Sequence, residues 1–226
     1  MNWSGGKDSS LALYHILKNK SLSIDYLLTN LSAEHNRISM HGVSFDLLKQ
    51  QAQSLNIPLE TMKIMKDASM DDYSKLVSEK MSFFTKQDIK NCAFGDIFLE
   101  DLKSYREHQL ETVGIKAHFP LWKRPTSDII QEFFELGFRA KVVSINANLL
   151  DQSFAGRELD QSFIDDLPKG VDVCGENGEF HSFVYDGPIF KNPIPVKVNE
   201  IVKKEYKSTE KKEWDSAFWF ADIIPT

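Results

Sequence analysis

The chain has 226 residues and a formal net charge of −6, with a pI near 5.6. That balance argues against a protein whose main task is to hold nucleic acid, because phosphate neutralisation needs clustered Lys and Arg. The 42% hydrophobic and 27% charged content suits a soluble globular protein, and no apolar run reaches the length of a membrane span. Lys7 and Asp8 fall where the apolar core of a signal peptide would sit, so a cytoplasmic location is expected.

The chain opens MNWSGGKDSS and leads into residues 8–19, where Leu11, Leu13, Ile16 and Leu17 share a broad apolar face and predict a helix. Residues 24–30 read as a strand, 43–55 as a helix, and 57–64 as a strand entered through Pro58. A polar-faced helix is expected over 69–86 and a short buried strand over 91–97. Residues 99–114 predict a helix ending at Gly114, and 115–122 a strand. Residues 127–137 predict a helix with Thr126 or Ser127 as N-cap and Gly137 as C-cap. A strand over 138–147 completes an alternation that implies βαβ units and a mostly parallel sheet covered on both faces. The pattern then weakens. A short helix falls near 161–166, and Asn177-Gly178 sits between two β-rich runs in VDVCGENGEFHSFVYD (171–186), a hairpin signal. Residues 196–208 and 214–224 read as strands around a charged segment. The expected division is an α/β domain over 1–120 and a smaller α+β region over 121–226. Cys92 and Cys174 show no CxxC or Cys/His spacing and read as buried thiols, not as a zinc site or redox pair.

The most distinctive string is Ser4-Gly5-Gly6-Lys7-Asp8-Ser9, directly before the first helix. Glycine lets the backbone approach a ligand closely, and the free N–H groups and dipole of a helix start favour an anion. Ser4, Ser9 and Ser10 add hydroxyls, and Lys7 adds a mobile positive charge. The string reads as a phosphate cradle, though not a Walker loop, whose GxxxxGK[ST] spacing is absent. The alternative is a Gly-rich turn with Ser or Asp as helix cap.

SGGKDS resembles the signature of the N-type ATP pyrophosphatases, also called PP-loop enzymes. GDI (95–97) with LEDLKSYRE (99–107), PLW (120–122), AGRELD (155–160) and, above all, GENGEFHSFVYDGPIF (175–190) resemble the diphthine–ammonia ligase family. The resemblance runs to about Phe190. It implies a Rossmann-like sheet of the adenine nucleotide alpha hydrolase type, with residues 1–120 as the nucleotide-binding domain and 121–226 recognising substrate. It also implies ATP cleavage between the α and β phosphates with Mg²⁺ present. A carboxylate is adenylated, and ammonia then displaces AMP. The family's acceptor is the carboxylate of diphthine, the modified histidine of elongation factor 2. The loop should follow the first, central strand of the sheet. Only Met1-Asn2-Trp3 precede it, so either the reading frame begins upstream or that strand is unusually short.

The resemblance also distributes roles. Ser4, Gly5, Gly6, Lys7, Asp8 and Ser9 should hold the pyrophosphate side of ATP, with Asp8 the candidate Mg²⁺ ligand. Adenine should lie near Leu28, Thr29 and Asn30 through backbone contacts. Gly95 and Asp96, at the carboxyl end of a strand, should line the nucleotide pocket, or else cap the next helix. Arg106 and Arg157 are candidates for an anionic substrate, or else surface ion-pair residues. His41 reads as a loop residue. Glu176 and Glu179 flank Asn177-Gly178 and repel each other unless something positive lies between them, such as Mg²⁺, ammonium or a trimethylammonium group. Together with Lys7 and Asp8 they are the candidate catalytic groups, and Asn177 joins them in substrate binding. Otherwise they form a solvated hairpin tip, and Asn177 there can take a left-handed conformation. Phe180-His181 stands where the family commonly has hydroxyl side chains. Neither cysteine sits in a recognisable glutaminase site, so free ammonium is the expected nitrogen source. Two other readings compete: a PP-loop pyrophosphatase acting on a tRNA base or small metabolite, and a nucleotide-binding regulatory module.

Overall fold

Most helices start and stop where their local sequence dictates. The computed structural model describes residues 1–20, 22–38, 41–206 and 216–226. Helix α1 spans Lys7–Asn19, α2 Phe45–Leu55, α3 Met70–Thr85, α4 Glu100–Glu111, α5 Thr126–Glu135 and α6 Gln161–Asp165. Ser44 and Ser69 cap α2 and α3 through their hydroxyls, and Ser69 forms a reciprocal capping box with Asp72. The cap expected for α5 is displaced. Its N-cap is Pro125, and Thr126 and Ser127 lie inside the helix, because a proline's missing N–H costs nothing at a helix start.

The N-terminal part carries parallel strands. β1 (Leu27–Ser32) pairs with β2 (Leu59–Ile64), and β3 (Asn91–Ala93) pairs with β4 (Lys116–His118). Residues 1–3 join the two pairs. Trp3 N donates to Leu28 O, Leu28 N to Met1 O, and Asn2 N to Ala93 O, each at 2.8 Å. The first three residues thus occupy the middle of the sheet, and the loop at 4–9 follows them directly. β3 and β4 are shorter than the expected strands at 91–97 and 115–122; after β3 the chain turns away, and Gly95 and Asp96 line the cavity described below. Along β1, Leu27 and Leu31 enter one core with residues of α1 and α2, while Leu28 enters a second core with residues of α3 and α4. Alternation along one strand therefore buries both faces of this sheet.

The C-terminal part is an antiparallel sheet in the order β6-β5-β8-β7. It comprises β5 (Arg139–Asn146), β6 (Phe180–Asp186), β7 (Val196–Tyr206) and β8 (Ser216–Pro225). Residues 207–215, expected to comprise two strand ends and a charged segment, lie outside the described residues. The hairpin expected at Asn177-Gly178 does not form. Only the run after it is a strand, and that strand pairs with β5. Residues 171–179 fold into turns, because side-chain carboxylates take up their backbone N–H groups and displace a ladder.

The two parts meet along the free edge of β6. Val184 N donates to Gly5 O at 2.9 Å, Gln51 Nε2 donates to Val184 O at 2.6 Å, and His41 Nδ1 lies 3.3 Å from Ser182 O. An exposed strand edge is a liability that a fold must cover. Here the loop at 4–9 and its neighbours cover it.

Candidate functional site

The loop is shaped by backbone and clamped from behind. Gly5 has φ +74°, and a Cβ there would lie 2.5 Å from Gln51 Oε1, so the position requires glycine. Gln51 is fully buried. Its amide donates to Gly5 O and Val184 O and accepts from Trp3 Nε1 at 3.0 Å. Sequence reasoning missed Gln51. The available signal was a polar residue on the apolar stripe of α2, beside Leu47, Leu48 and Ala52.

At the start of α1, Gly6 is the N-cap and no side chain caps the helix. Lys7 N donates instead to Ser182 Oγ of β6 at 3.1 Å. Ser4 Oγ and Ser9 Oγ lie 3.2 Å apart across the loop. Gly95 packs on this turn so closely that a Cβ would lie 2.8 Å from the Asp8 carbonyl carbon. Asp96 does not cap α4, whose N-cap is Leu99. Apart from the bond to Ser182, the start of the 13-residue α1 has no side-chain cap from its own N-cap residue, and its dipole faces a cavity of about 500 Å³.

That cavity gathers many of the residues singled out from sequence. Ser4, Gly6, Lys7, Asp8 and Ser9 line one side. Gly95, Asp96, Arg106 and Glu176 line another, as does Asn30 within β1, whose buried Oδ1 has no hydrogen-bond partner among the described residues. Lys7 Nζ contacts both Asp8 oxygens at 2.8 Å. Burial is the largest single influence and works against its charge, but the acidic groups around it, Asp8 first and Glu176 among them, together outweigh it and raise Lys7 to about 12. Arg106 Nη1 sits 2.8 Å from Asp96 Oδ2 and stacks over Phe94 at 4.4 Å. The pair is an ion contact off the line of a hydrogen bond, since Asp96 Oδ2 has no hydrogen-bond partner among the described residues. Burial raises the Asp96 carboxyl.

The two glutamates of the turn separate. Glu176 reaches across to accept from Ile97 N at 2.9 Å and lines the cavity. Burial, then the charge of Asp8, pushes it up to about 7. Glu179 is buried and accepts from Asp172 N, Asn177 N and Asn177 Nδ2 at 2.9–3.1 Å. It holds the turn together and is absent from the cavity wall, its charge taken up by these three N–H groups. Asp172 assists, accepting from Cys174 N and Glu176 N. Asn177 faces solvent, and the left-handed positions in this turn are Gly175 and Gly178.

Other residues lie elsewhere. Leu28 and Thr29 are buried behind the sheet edge, and Thr29 Oγ1 donates to Trp3 O. Arg157 pairs with Asp166 at 2.7 Å and lies over the Phe154 and Phe163 rings, outside the cavity. Cys174, read as a buried thiol away from any site, is buried but lines the cavity. Its Sγ donates to Thr126 O at 3.3 Å, and burial pushes the thiol up to about 12. His41, read as a loop residue, stacks on His181 at the cavity wall with ring centroids 4.5 Å apart.

No helix among the described residues is long and apolar enough to cross a membrane. Comparison with known proteins gives a consistent answer. The family profile of the diphthamide synthase N-terminal domain matches residues 1–117, and that of the diphthamide synthase C-terminal domain matches residues 125–224. The chain is similar to the human diphthine–ammonia ligase, 25% identical over 74% of this chain and 65% of the human protein. It is similar to the bovine one at 31% identity over 57% of this chain and 48% of the relative. The mouse protein of the same name is 24% identical over 88% of this chain and 82% of its own length. The chain therefore spans under two thirds of the human and bovine relatives it matches. With the matched profiles together spanning nearly all of its length, the chain belongs to the diphthamide synthase family.

Proposed function

We propose that the chain is an ATP-dependent carboxylate–ammonia ligase of the PP-loop type, built on a Rossmann-like nucleotide-binding part, with diphthine on elongation factor 2 as the acceptor. The relatives' shared name, diphthine–ammonia ligase, supports the substrate class. The observation that carries the reading is the convergence on one cavity of a glycine-capped helix start, Lys7 and the closely packed Gly95 from the parallel part with Glu176 from the other.

An acceptor carboxylate oxygen attacks the α-phosphorus, the bond to the bridging oxygen breaks, and pyrophosphate leaves. Ammonia then adds to the acyl carbon, and AMP leaves with the former carboxylate oxygen. The residues of this chain align and stabilise; none needs to be a nucleophile. Residues 4–9 hold the pyrophosphate, and Lys7 offsets its charge. Asn30, which lines the same cavity and whose Oδ1 has no hydrogen-bond partner among the described residues, would meet the base end. Ammonium must shed two protons on the way to an amide. Glu176, poised at about 7, can accept one near neutral pH. Cys174 is held as a thiol far above neutrality, which suits free ammonium as the nitrogen source rather than a cysteine-dependent glutaminase step.

Mg²⁺ fits as a partner of the nucleotide. Among the described residues no cluster of three His, Cys, Asp or Glu is arranged to hold a metal. Mg²⁺ bound with nucleotides relies on phosphate oxygens plus one or two carboxylates, and Asp8, with Asp96 across from it, would supply them. Bound there, the ion would neutralise phosphate charge.

Product analysis tests the reading. The chain is incubated with α-labelled ATP, Mg²⁺, ammonium and diphthine-bearing elongation factor 2. AMP and pyrophosphate that depend on the acceptor support the ligase. AMP that ignores the acceptor keeps the pyrophosphatase chemistry and removes this substrate. ADP, or ATP bound without turnover, overturns the reading.

A further inference from the structure

We propose that His181 is a further anion ligand of this cavity, donating its Nε2–H to the phosphate that the loop cradles, with His41 as the positioning residue that holds its ring in place. The inference rests on the phosphate reading of residues 4–9.

The two imidazoles stack with an interplanar angle of 28° and both line the cavity. His41 is anchored by its Nδ1, which donates to Ser182 O at 3.3 Å, and its ring packs close to the loop, with Cε1 3.2 Å from where a Cβ on Gly6 would lie. His41 therefore stands beside the glycine of the loop and carries His181 stacked on it. His181 Nε2 is shielded from water and has no hydrogen-bond partner among the described residues. A buried polar nitrogen left unpaired is costly, so a ligand that satisfies it gains accordingly.

The surroundings choose that ligand. Burial above all, and then the charge of Lys7 from α1, holds His41 down at about 4; burial, then His41 and Lys7, holds His181 well below its ordinary value. Both imidazoles are thus neutral. A neutral ring carries one N–H, and the ammonium of Lys7 next to it disfavours a second cation such as bound ammonium. An electron-rich acceptor satisfies Nε2–H and Lys7 together, and the glycine-capped helix start of α1 selects the same ligand.

The test measures binding of inorganic pyrophosphate and of AMP separately, by calorimetry on the full chain, for the wild type, His181→Phe and His181→Gln. Phe keeps the stack on His41 and removes the donor; Gln places an amide N–H near the same point. Phe is expected to weaken pyrophosphate binding about tenfold or more, the size of a hydrogen bond to a charged acceptor. Gln should restore most of the loss, and AMP affinity should stay within about twofold in both variants. In the wild type, the His181 Nε2–H resonance should shift when pyrophosphate is added. Unchanged pyrophosphate affinity in the Phe variant, equal loss of both ligands, or an unshifted resonance would overturn the inference while leaving the loop's role intact. A wild-type chain that binds neither pyrophosphate nor ATP would overturn the phosphate reading itself, and this inference with it.

Discussion

Residues 4–9 and residues 172–179 close on one cavity from opposite sides, and they are held in shape by opposite means. The first loop is shaped by glycine and by groups outside it: Gln51, Ser182 and the edge of β6. Its own polar groups, apart from local contacts, are left to face the cavity. The second turn is shaped by its own acids, with Asp172 and Glu179 folded onto five N–H groups of their own segment. Only Glu176 is left pointing outward to the cavity and Ile97. Two glutamates three residues apart thus have unrelated tasks, one structural and one facing the cavity.

Substitutions on each side of the cavity put this division of labour to experiment. The largest effect is expected for Lys7→Met, which removes the loop's positive charge. AMP formation should fall by about 10²–10³-fold, the scale of losing one charge-stabilising group; retained turnover would remove Lys7 from the machinery. Next is Glu179→Gln. It should cost about 2–4 kcal/mol of stability, because hydrogen bonds to a buried charge are weakened, and this would appear as a lower denaturant midpoint. If Glu179→Gln instead leaves stability untouched and abolishes turnover, the division between the two glutamates is wrong. Gly95→Ala presses a methyl against the Asp8 backbone. A loss of about 1–3 kcal/mol in ATP binding, with the fold retained, would place the nucleotide on that turn.

The pH dependence of Glu176 has a definite sign. Its folded-state value is raised from 4.5 to about 7, so the folded chain keeps a proton that the unfolded chain releases. Stability should therefore decline as pH rises from about 4.5 and level off above about 7. Glu176→Gln should remove that decline; an unchanged stability–pH curve would show that Glu176 is not held in this way. The smallest effect belongs to Arg157→Ala. Its pair with the exposed Asp166 lies outside the cavity, so stability should drop by under about 1 kcal/mol with turnover within about twofold. A large loss of turnover would extend the site to that face.

Much of the architecture is legible in the sequence. Helical periodicity locates α1 to α5, and strand–helix alternation announces the parallel part. What is not legible depends on distant partners. Asn177-Gly178 carries a local hairpin signal, yet Glu179 and Asp172 capture the backbone that a first strand would have used. Arg157 and Arg106 look alike in sequence, and only packing sends one to Asp166 and the other to Asp96 at the cavity. Gln51, Cys174 and His41 carry no motif signal of their own. Their roles arise from contacts with residues 46 to 141 positions away in sequence.

The glycine-rich loop, its place before a helix, the order of elements and the family follow from the amino-acid sequence, because they are properties of contiguous residues and their spacing. Tertiary packing decides which acid faces the cavity, which cysteine lines it, and that an edge strand of the C-terminal sheet completes the loop. These depend on burial and on which distant groups satisfy buried N–H and C=O groups. Local propensity carries no information about that choice.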